Sequence, residues 1–149
     1  MGDIIQDESR EYLINLAINI ASGMGLYPII ILGICERESS WNPWATRFEP
    51  AFKSKYIDPL RLPEPEATLR ATSFGLMQLL GQSAREMGYK DNLQELVDPE
   101  INLMWGCRWF EKKMVVASGV LADALQDWNG GGNPNYATEV LELANKYIK

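Results

Sequence analysis

The sequence predicts an all-α protein with at most a minor β element, built as one domain over residues 1–149. A chain of 149 residues can bury one sizeable core, and 46% hydrophobic with 23% charged residues is ordinary for a globular domain. Residues 98–118 are apolar nearly all round, which is typical of a buried helix. Apolar residues recur at helical spacing in four further segments: 8–24, 28–38, 119–128 and 136–149. We expect about six helices around a buried central helix at 98–118.

Proline and capping residues mark where several of these helices begin. Pro28 opens the second helix at the position where a missing backbone N–H costs nothing. Asp98 is a typical N-cap in front of Pro99, so the central helix is expected to start there. Residues 73–81 are interrupted by glycine and predict an extended piece or short strand, which leads into a helix at about 82–87.

The connection at 42–72 contains five prolines and its own aromatic residues. A long connection in a compact domain is either a functional flap or an ordered surface loop, and the sequence leaves both open. Glu49 is the one acid in it with aromatic residues on both sides, which makes it a candidate for ligand contact.

Charge and hydropathy exclude several classes of partner. The formal net charge of −6 argues against nucleic acid, because phosphate binding depends on clustered lysine and arginine. No apolar run approaches the roughly 18 residues that a membrane span needs, so no membrane segment is expected. The acidic stretch at 1–8 predicts the absence of a signal peptide and synthesis in the cytoplasm.

The two cysteines, Cys35 and Cys107, fall in apolar helical segments and are expected to be free, buried thiols in a reducing compartment. A disulfide between them is the alternative. The chain has no histidine, which excludes a histidine-based catalytic triad and a histidine metal site. We expect neither a metal nor a cofactor.

Glu38 is the candidate catalytic residue. On a helix it continues the apolar face made by Ile30, Ile31, Ile34 and Cys35, so its carboxylate is expected to point inward. Desolvation and the negative end of the helix dipole should both raise its pKa, and a carboxyl that is protonated near neutral pH can act as a general acid. Glu36 also has apolar neighbours and stays as the alternative.

Four motifs in order resemble the catalytic domain of the soluble lytic transglycosylases, which is related in fold to goose-type lysozyme. They are Glu38-Ser39-Ser40-Trp41-Asn42-Pro43, Gly75-Leu76-Met77-Gln78, Trp128-Asn129-Gly130-Gly131, and Tyr136 with Glu139-Val140. The resemblance covers residues 28–149. Two features depart from the family: Trp128 replaces a common tyrosine, and the connection after the first motif is longer, as in phage-borne or mobile-element members.

The resemblance implies a lysozyme-like fold and a set of site residues. It implies that Glu38 is the sole catalytic carboxylate and that Tyr136 donates a hydrogen bond to Glu38 or to the substrate. The residues expected to bind substrate are Ser39, Ser73, Gly75, Met77, Gln78, Asn129 and Gly130, with Glu49 added. Three aromatic side chains are candidates to stack on sugar rings: Trp41, Trp44 and Phe74.

A single carboxyl suffices if the substrate supplies its own nucleophile. The resemblance implies cleavage of the MurNAc-β-1,4-GlcNAc bond of peptidoglycan, with Glu38 serving both proton transfers and a 1,6-anhydromuramoyl product. One alternative is a muramidase of the same fold, in which Glu49 or Asp127 is the second carboxylate that hydrolysis usually needs. Another is a non-catalytic glycan-binding or structural phage domain.

The expected partner is the peptidoglycan glycan strand, without nucleic acid or membrane, and the chain is expected to be a monomer. A phage-borne member would reach the cell wall through a holin pore or as part of a virion. A bacterial enzyme exported by another route is also compatible with the sequence.

Overall fold

A computed structural model describes the backbone of residues 2–148 and the side chains of residues 9–148. Within that range the chain forms eight α-helices and one small sheet, which confirms the mostly α-helical fold class. The helices are α1 (Gly2–Gly23), α2 (Pro28–Ser39), α3 (Pro50–Phe52), α4 (Glu66–Arg70), α5 (Gly81–Glu86), α6 (Pro99–Val116), α7 (Leu121–Trp128) and α8 (Tyr136–Asn145). The strands are β1 (Thr46–Phe48), β2 (Thr72–Phe74) and β3 (Leu79–Leu80).

Helix α2 is the helix with the longest buried run in the described chain. All residues from Ile30 to Cys35 are buried, and the helix packs against α1 on one side and α8 on another. Gly33 makes the contact with α8 possible, since an added Cβ would lie 2.7 Å from the carbonyl oxygen of Val140. The two helices that carry Glu38 and Tyr136 are therefore held close together by the absence of one side chain.

Helix α6 begins as predicted, with the Asp98 side chain accepting a hydrogen bond from the Ile101 N–H at 3.1 Å. It buries one face, through Leu103, Cys107 and others, but Val116 at the far end is 77% exposed. The expectation of a helix buried all round is therefore corrected for 98–118. Its apolar sequence serves a core face and a second, half-buried face that carries tryptophans.

The sheet is antiparallel with strand order β1-β2-β3, and Ser73 in β2 pairs with Arg47 on one side and Leu80 on the other. A turn at 75–78 joins β2 to β3. Buried Asn102 of α6 holds this turn: its Oδ1 accepts from the Met77 N–H at 2.9 Å, and its Nδ2 donates to the carbonyls of Phe74 and Leu96. The predicted extended piece is thus a hairpin fixed from the helical core.

The connection at 42–72 is ordered and has a small core of its own. Ile57, Ala67 and Ala71 are buried together beneath Phe52 and Leu62. Besides β1, α3 and α4 it contains a π-helical turn at Lys53–Ile57 and a 3-10 turn at Asp58–Leu60. This segment is therefore a structured addition, and its strand β1 brings charged side chains to the site described below.

Both cysteines are free and buried, as predicted. Burial raises the pKa of the Cys107 thiol to about 12 and raises that of Cys35 as well, so neither thiol ionises near neutral pH. No helix within residues 2–148 has both the length and the apolar character to cross a membrane. Among residues 9–148, whose side chains are described, no three acidic or cysteine side chains gather as a metal site would require.

Candidate active site

A cavity of about 310 Å³ opens between the end of α2, the sheet, α6 and the turn after α7. We call it the cleft. Its polar lining comes from Arg37, Glu38, Arg47, Glu49, Ser73, Gln78 and Asn129. Its apolar lining comes from Leu79, Leu80, Trp109 and Trp128. The cleft therefore has carboxylates and guanidinium groups on one part of its surface and two indole rings on another.

Glu38 lies in the last turn of α2, and Tyr136 is the first residue of α8. The tyrosine is almost fully buried, and its hydroxyl donates a hydrogen bond to Glu38 Oε1 at 2.7 Å. After Glu38 the chain turns out of the helix at Ser40, whose left-handed conformation (φ 49°) ends α2. The carboxyl is thus presented at a helix end with one oxygen already held by a donor.

Burial raises the pKa of Glu38 above its usual value. The hydrogen bond from Tyr136 and the positive charges of Arg37 and Arg47 act in the opposite direction without cancelling the effect of burial. Burial and the neighbouring carboxylate also raise the pKa of Tyr136, so the phenol keeps its proton and stays a donor. A raised pKa favours the protonated carboxyl, which is the form that a general acid needs.

Glu36, the alternative acid, belongs to a different part of the molecule. It accepts a hydrogen bond from the Tyr147 hydroxyl at 2.8 Å and pairs with Arg10 at 3.1 Å. The same Tyr147 hydroxyl accepts a hydrogen bond from the indole N–H of Trp41 at 3.0 Å. Glu36 is therefore part of a network that joins α1 and α2 to the turn that follows α8, and it does not line the cleft.

The glycine-rich turn is braced against α8 by side chains. With its oxygen facing the turn, the Asn129 carboxamide accepts from the backbone N–H of Gly132 and Asn133, the latter at 2.8 Å. Asn133 Nδ2 and Arg37 Nε both donate to Glu139 Oε2, at 3.1 and 2.8 Å. The turn, α2 and α8 are joined in this way, which leaves the amide nitrogen of Asn129 for the cleft.

Of the predicted substrate-binding residues, the structure brings Glu49, Ser73, Gln78 and Asn129 to the cleft together with Glu38. The Gln78 amide nitrogen is held by the carbonyl oxygens of Ala45 and Gly75, both at 2.9 Å. Its amide oxygen accepts no hydrogen bond from any described residue, so it is available to a ligand.

Four of the predicted substrate-binding residues lie outside the cleft lining, and their contact with substrate stays a prediction. Met77 is fully buried against Gly106 of α6, and Gly75 lies in the interior where an added Cβ would meet Asn102. Ser39 donates back to the carbonyl of Cys35 within α2, at 2.9 Å. Gly130 has φ +79° and serves the turn. Their motifs shape the backbone around the cleft.

The aromatic walls differ from those expected. Trp41 and Phe74 are core residues, and Trp44 is 74% exposed beside a separate groove. The cleft instead takes Trp109 from α6 and Trp128 from the end of α7. In the sequence, Trp109 lies four residues after Trp105, a spacing that is typical of a core stripe. Lys112 and Lys113, which lie against the Trp109 ring in the structure, are the signal that indicates a half-exposed position.

The two carboxylates considered as hydrolytic partners of Glu38 occupy different positions. Asp127 pairs with Lys113 of α6 at 3.2 Å and lies outside the cleft lining. Glu49 lines the cleft and pairs with Arg47 at 3.0 Å. Only Glu49 of this pair is placed where it could face a ligand together with Glu38.

The site combines a carboxyl of raised pKa, a tyrosine that donates to it, and a polar cleft with two indole rings in its wall. In a mostly α-helical protein, this arrangement suits acid–base chemistry on a large polar ligand. The family model for the transglycosylase SLT domain matches residues 15–139, and the chain belongs to this family. Membership confirms the resemblance to lytic transglycosylases and supports lytic transglycosylase activity on peptidoglycan and action at the cell wall. Neither the curated proteins nor the solved structures gave a match.

Proposed function

We propose that the chain cleaves the MurNAc-β-1,4-GlcNAc bond of peptidoglycan with Glu38 as the only acid and base. The observation that carries this proposal is the hydrogen bond from the buried Tyr136 hydroxyl to Glu38, a half-buried carboxyl of raised pKa that lines the cleft. The family supports the class of reaction, and the geometry supports the choice of residue.

In the first step protonated Glu38 gives its proton to the glycosidic oxygen, and the bond from C1 of MurNAc to that oxygen breaks. The acetamido group of the same sugar stabilises the positive charge at C1. Tyr136 keeps its hydrogen bond to Glu38, which supports the carboxylate as its charge develops.

In the second step the C6 hydroxyl of the same MurNAc residue attacks C1 and loses its proton to the Glu38 carboxylate. The product is a 1,6-anhydromuramoyl end, no water is consumed, and Glu38 is protonated again for the next cycle. One residue can serve both steps, because the raised pKa of Glu38 favours the protonated form that the first step uses, and the carboxylate left after that step is the base of the second.

A muramidase reaction is the second candidate, and the position of Glu49 in the cleft is the observation that favours it. In that reaction Glu49 would activate a water on the opposite face of the sugar. The ion pair of Glu49 with Arg47 speaks against this role, because its Oε1 is already engaged by the guanidinium at 3.0 Å.

The acid is tested by comparing Glu38→Gln with Glu49→Gln and Asp127→Asn on purified sacculi. Clearing of turbidity should be lost in Glu38→Gln, with folding and sacculus binding retained, and should persist in Asp127→Asn. Retained activity in Glu38→Gln would overturn the assignment. Loss of clearing in both Glu38→Gln and Glu49→Gln, with Asp127→Asn still active, would favour the muramidase.

We also propose that the protein acts as a monomer in a phage-type lytic role, which the long connection at 42–72 supports through its similarity to phage-borne members. Expression in bacteria with and without a co-expressed holin tests this role. Lysis that depends on the holin is expected, whereas a holin with no effect on lysis would contradict it.

A further inference from the structure

Arg47 reaches the cleft from strand β1, one of the two edge strands of the sheet. Glu49 follows two residues later, so the two side chains point to the same face. Arg47 Nε lies 3.0 Å from Glu49 Oε1, and both residues line the cleft with Glu38. A guanidinium is therefore held beside the proposed acid by a carboxylate of the same segment.

The rest of the Arg47 side chain is unoccupied. It is 75% exposed, and its two terminal nitrogens donate no hydrogen bond to any residue among those described. Glu49 approaches the guanidinium at Nε, and Nη1 and Nη2 keep their hydrogen-bonding capacity for a ligand. Such a fork matches the two oxygens of a carboxylate.

Arg37, the other arginine of the cleft, has a structural partner on either side. Its Nε donates to Glu139 at 2.8 Å, and its guanidinium lies 5.7 Å from the ring centre of Tyr136. Its side chain is 39% exposed, about half the value for Arg47. Arg37 therefore holds α2 to α8, whereas Arg47 is fixed at one end only.

We propose that Arg47 is a specificity-determining residue that binds a carboxylate carried on the MurNAc side of the substrate, with Glu49 orienting it before the substrate arrives. This inference rests on the proposed function, which places a peptidoglycan strand in the cleft. The carboxylate is either one of the peptide stem or, in strands without stems, the lactyl group of MurNAc. Both present the same planar pair of oxygens to the fork.

The proposal also gives Glu49 a role other than water activation. With Glu38 protonated, Glu49 is the carboxylate of the cleft that would repel a substrate carboxylate if Arg47 were absent. The ion pair of Arg47 with Glu49 offsets that charge. Glu49 is thus a positioning residue for Arg47.

Binding measurements on the Glu38→Gln protein test the proposal without turnover. The ligands are glycan chains with peptide stems, the same chains stripped by an amidase so that the lactyl carboxylate is free, and uncharged chitotetraose. Adding Arg47→Gln should weaken binding of at least one carboxylate-bearing ligand roughly tenfold, the range for an exposed charge-assisted contact, and leave chitotetraose unchanged. The loss should shrink as salt is raised from low to physiological concentration.

Arg61→Gln is the matched control, because Arg61 is exposed and lies outside the cleft lining. It should leave all three affinities unchanged. Glu49→Ala removes the oxygen that orients Arg47 Nε and should weaken binding of the same carboxylate ligand, whereas Glu49→Gln keeps an oxygen there and should restore that binding. A thermal unfolding curve for each variant verifies that the fold is intact.

The pattern of losses decides the source of the carboxylate. A loss confined to stem-bearing chains assigns it to the peptide stem, and a loss with stripped chains assigns it to the lactyl group. Equal losses for all three ligands, or none for any, would overturn the proposal. The product of the unmodified protein is measured separately, so a failed role for Arg47 leaves the acid assignment of Glu38 standing, and the reverse also holds.

Discussion

Replacing Tyr136 with phenylalanine removes one hydroxyl from the site and little else. The ring stays in its buried position at the start of α8, and the 2.7 Å hydrogen bond to Glu38 is lost. A hydrogen bond to a charged group contributes about 1.5–3 kcal/mol, and each 1.4 kcal/mol corresponds to about a factor of ten in rate. We expect kcat to fall by roughly ten- to a thousandfold, the upper part of that range applying if the bond strengthens in the transition state.

The same substitution should change the pH dependence in a defined direction. The hydrogen bond from Tyr136 lowers the pKa of Glu38, so its loss raises that pKa further. Activity that needs protonated Glu38 declines as pH rises through the pKa. The basic limb of the pH–rate profile should therefore move to higher pH in Tyr136→Phe.

The assay is the release of soluble muropeptides from sacculi across a pH series. Tyr147→Phe is the matched control, because Tyr147 also lies on the α8 side of α2 but bonds to Glu36 and Trp41 outside the cleft. It should leave both the rate and the basic limb in place. An unaltered profile in Tyr136→Phe, or an equal effect of both substitutions, would refute the reasoning.

Three further predictions concern stability and are measured by denaturant unfolding. Burial raises the folded-state pKa of Glu38, so the stability that this residue contributes is present below its unfolded pKa and is lost as pH rises through the folded pKa. Glu38→Gln should therefore be more stable than the parent at pH 7. This difference in stability should vanish in acid. Gly75→Ala should lower the free energy of unfolding by about 2–4 kcal/mol, because φ at Gly75 is +72° and the new Cβ would lie 2.5 Å from the amide nitrogen of Asn102. Gly119→Ala is the control: its φ is also positive, but it lies in open space, and it should cost about 1 kcal/mol. Equal losses of stability in the two variants would contradict the steric explanation. Arg85, with the larger effect, and Arg70 lower the pKa of Glu66 to about 2, so the stability that Glu66 contributes is present above its unfolded pKa and is lost as pH falls toward 2. Glu66→Gln should lower the free energy of unfolding by roughly 1–2 kcal/mol at pH 7, a figure reduced for solvent screening. A loss of the same size at pH 2 would contradict a contribution from these ion pairs.

Local signals in the sequence predicted the helices well. Pro28 and the Asp98 cap give the starts of α2 and α6 because proline and an N-cap side chain act within one turn of the backbone. The inward direction of Glu38 also followed from helical periodicity, since its neighbours in the stripe are one and two turns away. What these signals share is that cause and effect lie within a few residues.

The features that the sequence did not predict depend on contacts between distant residues. Asn102 looked like any polar residue in an apolar helix, and its role appears only when the turn at 75–78 packs against α6. Burial of Met77 follows from the space that Gly106 leaves, which no local pattern shows. Strand β1 lies in a proline-rich segment where propensity opposes a strand, and pairing with β2 overrides it.

The arrangement of the cleft walls is another tertiary effect. Trp109 shares an i, i+4 spacing with Trp105, which is compatible with a core stripe and with a cleft wall alike. The packing of the β2–β3 hairpin and of α7 against α6 determines that Trp109 forms a wall of the cleft. The candidate acid of this site is therefore easier to predict from the sequence than the residues that line the cleft around it.

The fate of water in the reaction is the most direct test of a single-carboxylate mechanism. Sacculi are digested in water enriched in oxygen-18, and the muropeptides are weighed, with a hydrolytic lysozyme digest as the control that takes up label. Intramolecular attack by the C6 hydroxyl predicts new muramoyl ends that carry no label and are lighter by one water than hydrolysed ends. Label in the new reducing ends would mean that water attacks C1, and would contradict the proposal that Glu38 acts alone.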